Sequence, residues 1–153
     1  MASYIARFKK MGLVIDQATL RHSYRCSPSV CEYIKGNLGI EIASHRDDST
    51  DIRFLESNNE IQNIFANDAT VKLFYKGYKN YSCYSNNWGK SKGLDCYSDV
   101  CVVLNRTTFK NFSNGNLSSL KAQTKNKLYV AITRTKGNLY FAEEAKIRKI
   151  TSK

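Results

Sequence analysis

Thr133-Arg134, with Gly137 shortly after, stands where an apolar helical run, KLYVAI, gives way to an apolar strand, NLYFA. An arginine fixed at such a junction can hold its planar five-donor fork toward an anion, above all toward charge spreading over a transferring phosphoryl group. The same arginine could instead complete the helix end, where a cation meets the negative pole of the helix dipole. A second arginine, Arg25, follows Tyr24 just before Ser27-Pro28. Further on, Tyr75, Tyr78, Tyr81, Tyr84 and Trp88 are interleaved with Lys76, Lys79, Lys90 and Lys92. Aromatic faces among lysines suit single-stranded nucleic acid, each stacked base contributing about 1–3 kcal/mol while the lysines hold phosphates. The competing reading is that half of these rings pack into the sheet or under the loop.

Bulk composition points the same way. With 24 Lys+Arg against 13 Asp+Glu the formal charge is +11, which favours an anionic partner such as nucleic acid or nucleotide. A chain of 153 residues with 42% hydrophobic content can bury one real core, so a single domain is expected over 1–153, its core at about 18–142 and a charged tail, peripheral or helical, at 143–153. Five cysteines leave one over from any pairing and show no Cys-x-x-Cys spacing, so they read as reduced thiols rather than zinc ligands. His22 and His45 have no second histidine at ligand spacing. No apolar run approaches the roughly 18 residues of a membrane span, and a cytoplasmic location is expected.

The elements that must position these residues alternate. Residues 18–23 read as a strand leading into the Tyr24-Arg25 turn. Ser27-Pro28 then opens a short helix, with an N-cap and a proline at the first helical position, ending near Gly36. DIRFL alternates like a strand, SNNEIQNIF reads as a helix capped by Ser57, and ATVKLFYK is rich in strand formers. SDVCVVLN, at 98–105, is the clearest buried strand; a polar loop with Asn111, Ser113, Asn114 and Gly115 is expected after it. A helix from about Leu117 to Arg134 follows, with Gly137 as its C-terminal stop and NLYFA as the last strand. Strands alternating with helices imply an α/β fold with a largely parallel sheet flanked by helices. Ligands in such sheets gather at the carboxyl ends of strands, and Tyr24-Arg25 and Ser91 to Asp95 are both expected there.

Three blocks in order, LRHSYRCSPSVCEYI, NWGKSKGLDCYSDVCVVL and KLYVAITRTKGNLYF, together resemble motifs IV, V and VI of the second RecA-like motor domain of UvrD/Rep-type superfamily 1 DNA helicases. The resemblance runs from about residue 20 to 142 and implies a RecA-like three-layer domain. It implies that Arg134 faces the γ-phosphate of ATP, that Arg25 is a second γ-phosphate contact, and that Tyr24 stacks on the adenine. Asp95 stands where the family has a glutamate that accepts a hydrogen bond from the ribose hydroxyl. Gly93 would allow close backbone approach or a positive φ. Trp88, Lys90 and Lys92 are the expected DNA contacts. Asn87 and Gly89 stand where many members have a Thr-x-His whose histidine helps contact DNA.

No Gly-x-x-x-x-Gly-Lys-Ser/Thr element occurs in the sequence, and no Asp-Glu pair follows a strand to hold Mg²⁺. ATP with Mg²⁺ would therefore need a phosphate cradle and metal ligands from an N-terminal RecA-like ATP-binding domain, expected in the same polypeptide. The stretch between Arg25 and Lys92 is too short for the large accessory domain that many relatives insert. The expectation is a C-terminal half-motor that is inactive alone and contacts single-stranded DNA. The alternative is a basic nucleic-acid-binding or regulatory protein that kept the fold without the ATPase.

Overall fold

The computed structural model describes Met11 and residues 22–151. Its centre is a five-stranded sheet in which every pairing is parallel, ordered β3-β7-β6-β4-β5. The strands are β3 (Ile52–Phe54), β4 (Thr70–Phe74), β5 (Ser85–Asn87), β6 (Asp99–Leu104) and β7 (Leu139–Glu143). A parallel sheet must be covered on both faces, so its central strands are apolar on both. In β6, Val100, Val102 and Leu104 face one cluster while Cys101 and Val103 face the other. Among the described residues five helices supply the cover: α1 (Pro28–Leu38), α2 (Asn58–Ala66), α3 (Arg106–Ser113), α4 (Ala122–Ile132) and α5 (Glu144–Thr151). Val30, Ile34 and Leu38 of α1, Leu128 and Ile132 of α4, and Phe109 and Phe112 of α3 pack on the first face. Ile61 of α2 and Ile147 of α5 pack on the second. The result is the three-layer α/β arrangement that the alternating pattern implied.

Local chemistry fixes the helix ends. Ser27 accepts from the Val30 N–H and Pro28 takes the first turn, as the sequence indicates; the helix runs past Gly36 to Leu38, where Gly39 adopts φ 64°. Ser57 and Glu60 close a reciprocal capping box at α2. Two short strands, β1 (His22–Ser23) and β2 (Ala43–Ser44), pair in parallel outside the main sheet. The remainder of the strand expected at 18–23 lies outside the described residues.

Three expectations change. The polar loop after β6 is instead α3, started by Asn105, whose side chain accepts from the Thr108 N–H. Polar composition hid a helix whose apolar residues, Phe109 and Phe112, pack on the core. The long helix from Leu117 is a 3₁₀ turn at Leu117–Ser119 followed by α4. Gly137 does not terminate a helix, since α4 ends at Ile132 with Thr133 as cap; a Cβ at Gly137 would collide with the Asp99 carboxylate. The charged tail takes the helical of its two expected forms, as α5, and Ile147 is fully buried.

Candidate nucleotide-facing cleft

The sequence TRTKGN after α4 builds a fixed corner. Thr133 turns its hydroxyl back onto the carbonyls of Tyr129 and Val130. Thr135, fully buried, donates among the carbonyls of Ser98, Gly137 and Asn138. The N–H groups of Lys136 and Gly137 both donate to Ser98 O, and Asn138 N–H donates to Asp99 Oδ1 at 2.8 Å. The entry to β7 is thus pinned to the entry to β6. Thr135 and Asp99 are structural members of this corner that the sequence did not single out; the second threonine of the ITRT run was the available signal.

Against this corner lie three distant segments. Arg25 donates from Nε to Asp95 Oδ1 at 2.6 Å and from Nη1 to Thr133 O at 3.1 Å. Asp95 is bridged again by Lys136 Nζ at 3.2 Å. Its carboxyl is held below the usual range, first by Arg25 and then by Lys136. Arg134 is tied back by Nε to Val130 O at 3.2 Å and by Nη1 to Leu94 O at 3.0 Å. Burial, and next the neighbouring Arg25 charge, lower the Arg134 pKa, so two guanidinium groups are held near one another at electrostatic cost. Nη2 of Arg25 has no acceptor among the described residues.

The cleft in front of Arg25 is open, about 700 Å³, and is lined by Tyr24, Arg25, Arg46, Asp95 and Lys136, with His22 and Ser23 at one side. Arg134 is behind this lining rather than in it. Tyr24 is 75% exposed and lies flat on His45, with centroids 4.0 Å apart and planes 16° apart. His22 meets the His45 ring at 4.8 Å with the planes tilted by 40°. Arg46 went unnoticed in the sequence, although the charged run HRDD marks it. It donates to the carbonyls of Arg25 and Lys136, the latter at 2.6 Å, and pairs with Asp48, so it straps the Arg25 turn to the β7 corner.

The residues expected to converge do so, but not for the reason expected. The cleft sits at the amino ends of β6 and β7, because Asp95 precedes β6 and Lys136 precedes β7. Tyr24-Arg25 does follow a strand, but β1 belongs to the separate two-stranded sheet. Gly93 has φ +85°, a conformation that itself favours glycine, and a Cβ there would meet nothing within 4 Å in this chain. Asp95 is occupied by two cations, which makes it an anchor for Arg25 in this arrangement. The cleft lining offers no second carboxylate, so these residues do not fit an Mg²⁺ site, and the described residues contain no cluster suited to a metal.

Trp88 must be reassigned. It is fully buried, donates from Nε1 to Leu73 O at 2.8 Å, and meets Tyr75 edge-on at 5.3 Å, so no base can reach its face. Tyr81 likewise stacks on Phe74 at 4.3 Å. Lys90 and Lys92 are exposed, with Lys90 Nζ 5.7 Å from the Tyr78 ring centre. Asn87 builds the turn that leads into Lys90, its Oδ1 accepting from the N–H groups of Gly89 and Lys90 and its amide donating to Tyr75 O.

No family model matches the sequence, and no curated protein matches it. The fold and the cleft therefore define the class directly: a parallel α/β domain with a cationic cleft faced by an exposed aromatic ring. No helix among the described residues is long and apolar enough to cross a membrane.

Proposed function

We propose that this chain is the C-terminal half-motor of an ATP-dependent superfamily 1 DNA helicase, acting in the cytoplasm. The observation that carries the reading is the meeting of Tyr24, Arg25, Asp95 and Arg134, from three separate stretches, around one cationic cleft. Its chemistry suits a nucleoside triphosphate presented by an N-terminal RecA-like domain of the same polypeptide. Tyr24, already flat on His45, offers its other face to a purine. Arg25 and Lys136 lie at the cleft surface for phosphate oxygens, with Asp95 and Thr133 O holding the Arg25 fork in place. Arg134 sits behind as a second positive charge, and the anion relieves the repulsion between the two guanidiniums. The other domain supplies the phosphate cradle and the Mg²⁺ ligands. Opening and closing of the shared cleft then shifts this domain along single-stranded DNA.

The test is ATP hydrolysis, with and without single-stranded DNA, by this chain alone and by the chain joined to an ATP-binding RecA-like domain. Hydrolysis is expected only in the joined form. Arg25→Ala and Arg134→Ala should each lower kcat by about 10³-fold or more, the scale of an arginine that stabilises phosphoryl transfer. Full activity in both variants sinks the reading. Salt-sensitive DNA binding without any nucleotide effect in the joined form would instead favour a regulatory binder.

A further inference from the structure

A second hollow, about 830 Å³, opens at the opposite edge of the sheet, where β4, β6 and β7 end. The connection leaving β4 packs Tyr78, Tyr81 and Cys83 on one face of the sheet, whereas α3, leaving β6, packs Phe109 and Phe112 on the other. Adjacent strands whose exits diverge leave a crevice at their carboxyl ends, the place where parallel sheets hold ligands. This crevice is separate from the Arg25 cleft, which lies at the amino ends.

Its chemistry is that of an anion site. Asn105 caps α3 by accepting from Thr108 N–H at 3.0 Å, and Asn105 O accepts from Phe109 N–H. The N–H groups of Arg106 and Thr107 then have no intrahelical acceptor at the positive end of the helix dipole. Arg106 is itself the first helical residue, and α3 has no acid in its first turn. A cation there opposes the dipole, so helix stability does not account for it. Lys76 and Lys121 add positive charge from two other segments. The one carboxylate in the lining, Glu144, is held by Arg148 at 2.6 Å and receives the Tyr81 hydroxyl at 3.4 Å. The independent observation is Thr108: it lines the hollow and is fully buried, yet its Oγ1 has no hydrogen-bond partner. Such a hydroxyl costs stability unless something satisfies it.

We propose that this crevice binds a phosphate group, seated on the amino end of α3 between Arg106, Lys76 and Lys121, with the Thr108 hydroxyl as an added donor. The phosphate can come from the backbone of a nucleic-acid strand or from a free phosphate compound; the chemistry of recognition is shared.

The experiment titrates the chain with an end-labelled oligothymidylate, read by fluorescence anisotropy, and with inorganic phosphate, read by amide chemical shifts of Arg106 and Thr107. Both amides should move in the unmodified chain. Arg106→Gln should weaken the binding at least about tenfold, as expected for a lost charged contact, and should reduce the salt slope by about one if a strand is bound. Thr108→Val should also weaken binding while folding no less stably, which a purely structural threonine would not do. Shifts with the oligonucleotide but not with millimolar phosphate identify a strand, and saturation by phosphate alone identifies a free phosphate; either supports the site. Arg25→Gln should leave these responses unchanged, so this proposal and the nucleotide reading of the other cleft fail independently. Amides unmoved by both probes, or both crevice variants binding as the unmodified chain does, would overturn it.

Discussion

Replacing Trp88 by phenylalanine separates a core role from a base-stacking role, because phenylalanine keeps an aromatic face and loses only the indole N–H and part of the ring. Trp88 Nε1 donates to Leu73 O at 2.8 Å in a fully enclosed site. Leu73 also pairs with β6 in the sheet ladder, so losing the indole donor removes one buried hydrogen bond, at about 0.5–1.5 kcal/mol. The smaller ring adds about 1 kcal/mol of cavity cost. The expected loss is therefore roughly 1.5–2.5 kcal/mol, and at roughly 2–4 °C per kcal/mol for a domain of this size Tm should drop by about 6 °C. Urea unfolding followed by circular dichroism measures the loss, with an unchanged m-value expected because the surface exposed is the same. Oligonucleotide affinity, measured below the new midpoint, should stay within about twofold of the unmodified chain, since a face that no base reaches contributes no stacking. Unchanged stability together with a clear loss of oligonucleotide affinity would refute the reasoning and return Trp88 to the DNA surface.

Three further outcomes follow from packing and charge. Gly137→Ala drives a Cβ into the Asp99 carboxylate that holds Asn138, and should cost about 1–3 kcal/mol in chemical denaturation although the φ there suits alanine. Lys72 is fully enclosed, its Nζ donating to Asn67 O at 2.8 Å, and burial lowers its pKa. The unfolded chain binds that proton more readily than the folded one, so stability should rise with pH up to the ordinary lysine range of about 10.4. Lys72→Met should raise stability at neutral pH and flatten that alkaline rise, because Asn67 O still accepts from Thr70 N–H. Glu60 is held below the usual carboxyl range by the Ser57 N–H and hydroxyl. Its contribution to the α2 capping box is complete above the unfolded glutamate pKa of about 4.3 and vanishes as pH falls through the lower folded value. Amide exchange at Ser57 in an acid titration should show protection persisting below pH 4.3, and Ser57→Ala should cost about 1 kcal/mol.

What the sequence determined by itself was whatever depends on near neighbours in the chain. Ser27-Pro28 and Ser57 with Glu60 state their own caps, because donor and acceptor lie within three residues. The both-face burial of DVCVVL states a parallel strand. The order of the Tyr24-Arg25, Lys92-Gly93 and Thr133-Arg134 blocks was enough to expect one cleft. Tertiary structure decided what depends on residues far apart. Trp88 looked like a surface ring until Leu73 O supplied its partner, and Gly137 looked like a helix stop until Asp99 filled the space of its missing side chain. Helix α3 was masked by its asparagines and serines, since its stability comes from Phe109 and Phe112 packing on the distant core. Which end of the sheet carries the cleft could not be read from strand order either, because β1 left the main sheet to pair with β2. A lone arginine's reach is set by its anchors; for Arg25 and Arg134 those anchors, Asp95, Thr133 O and Leu94 O, come together only when the chain is folded.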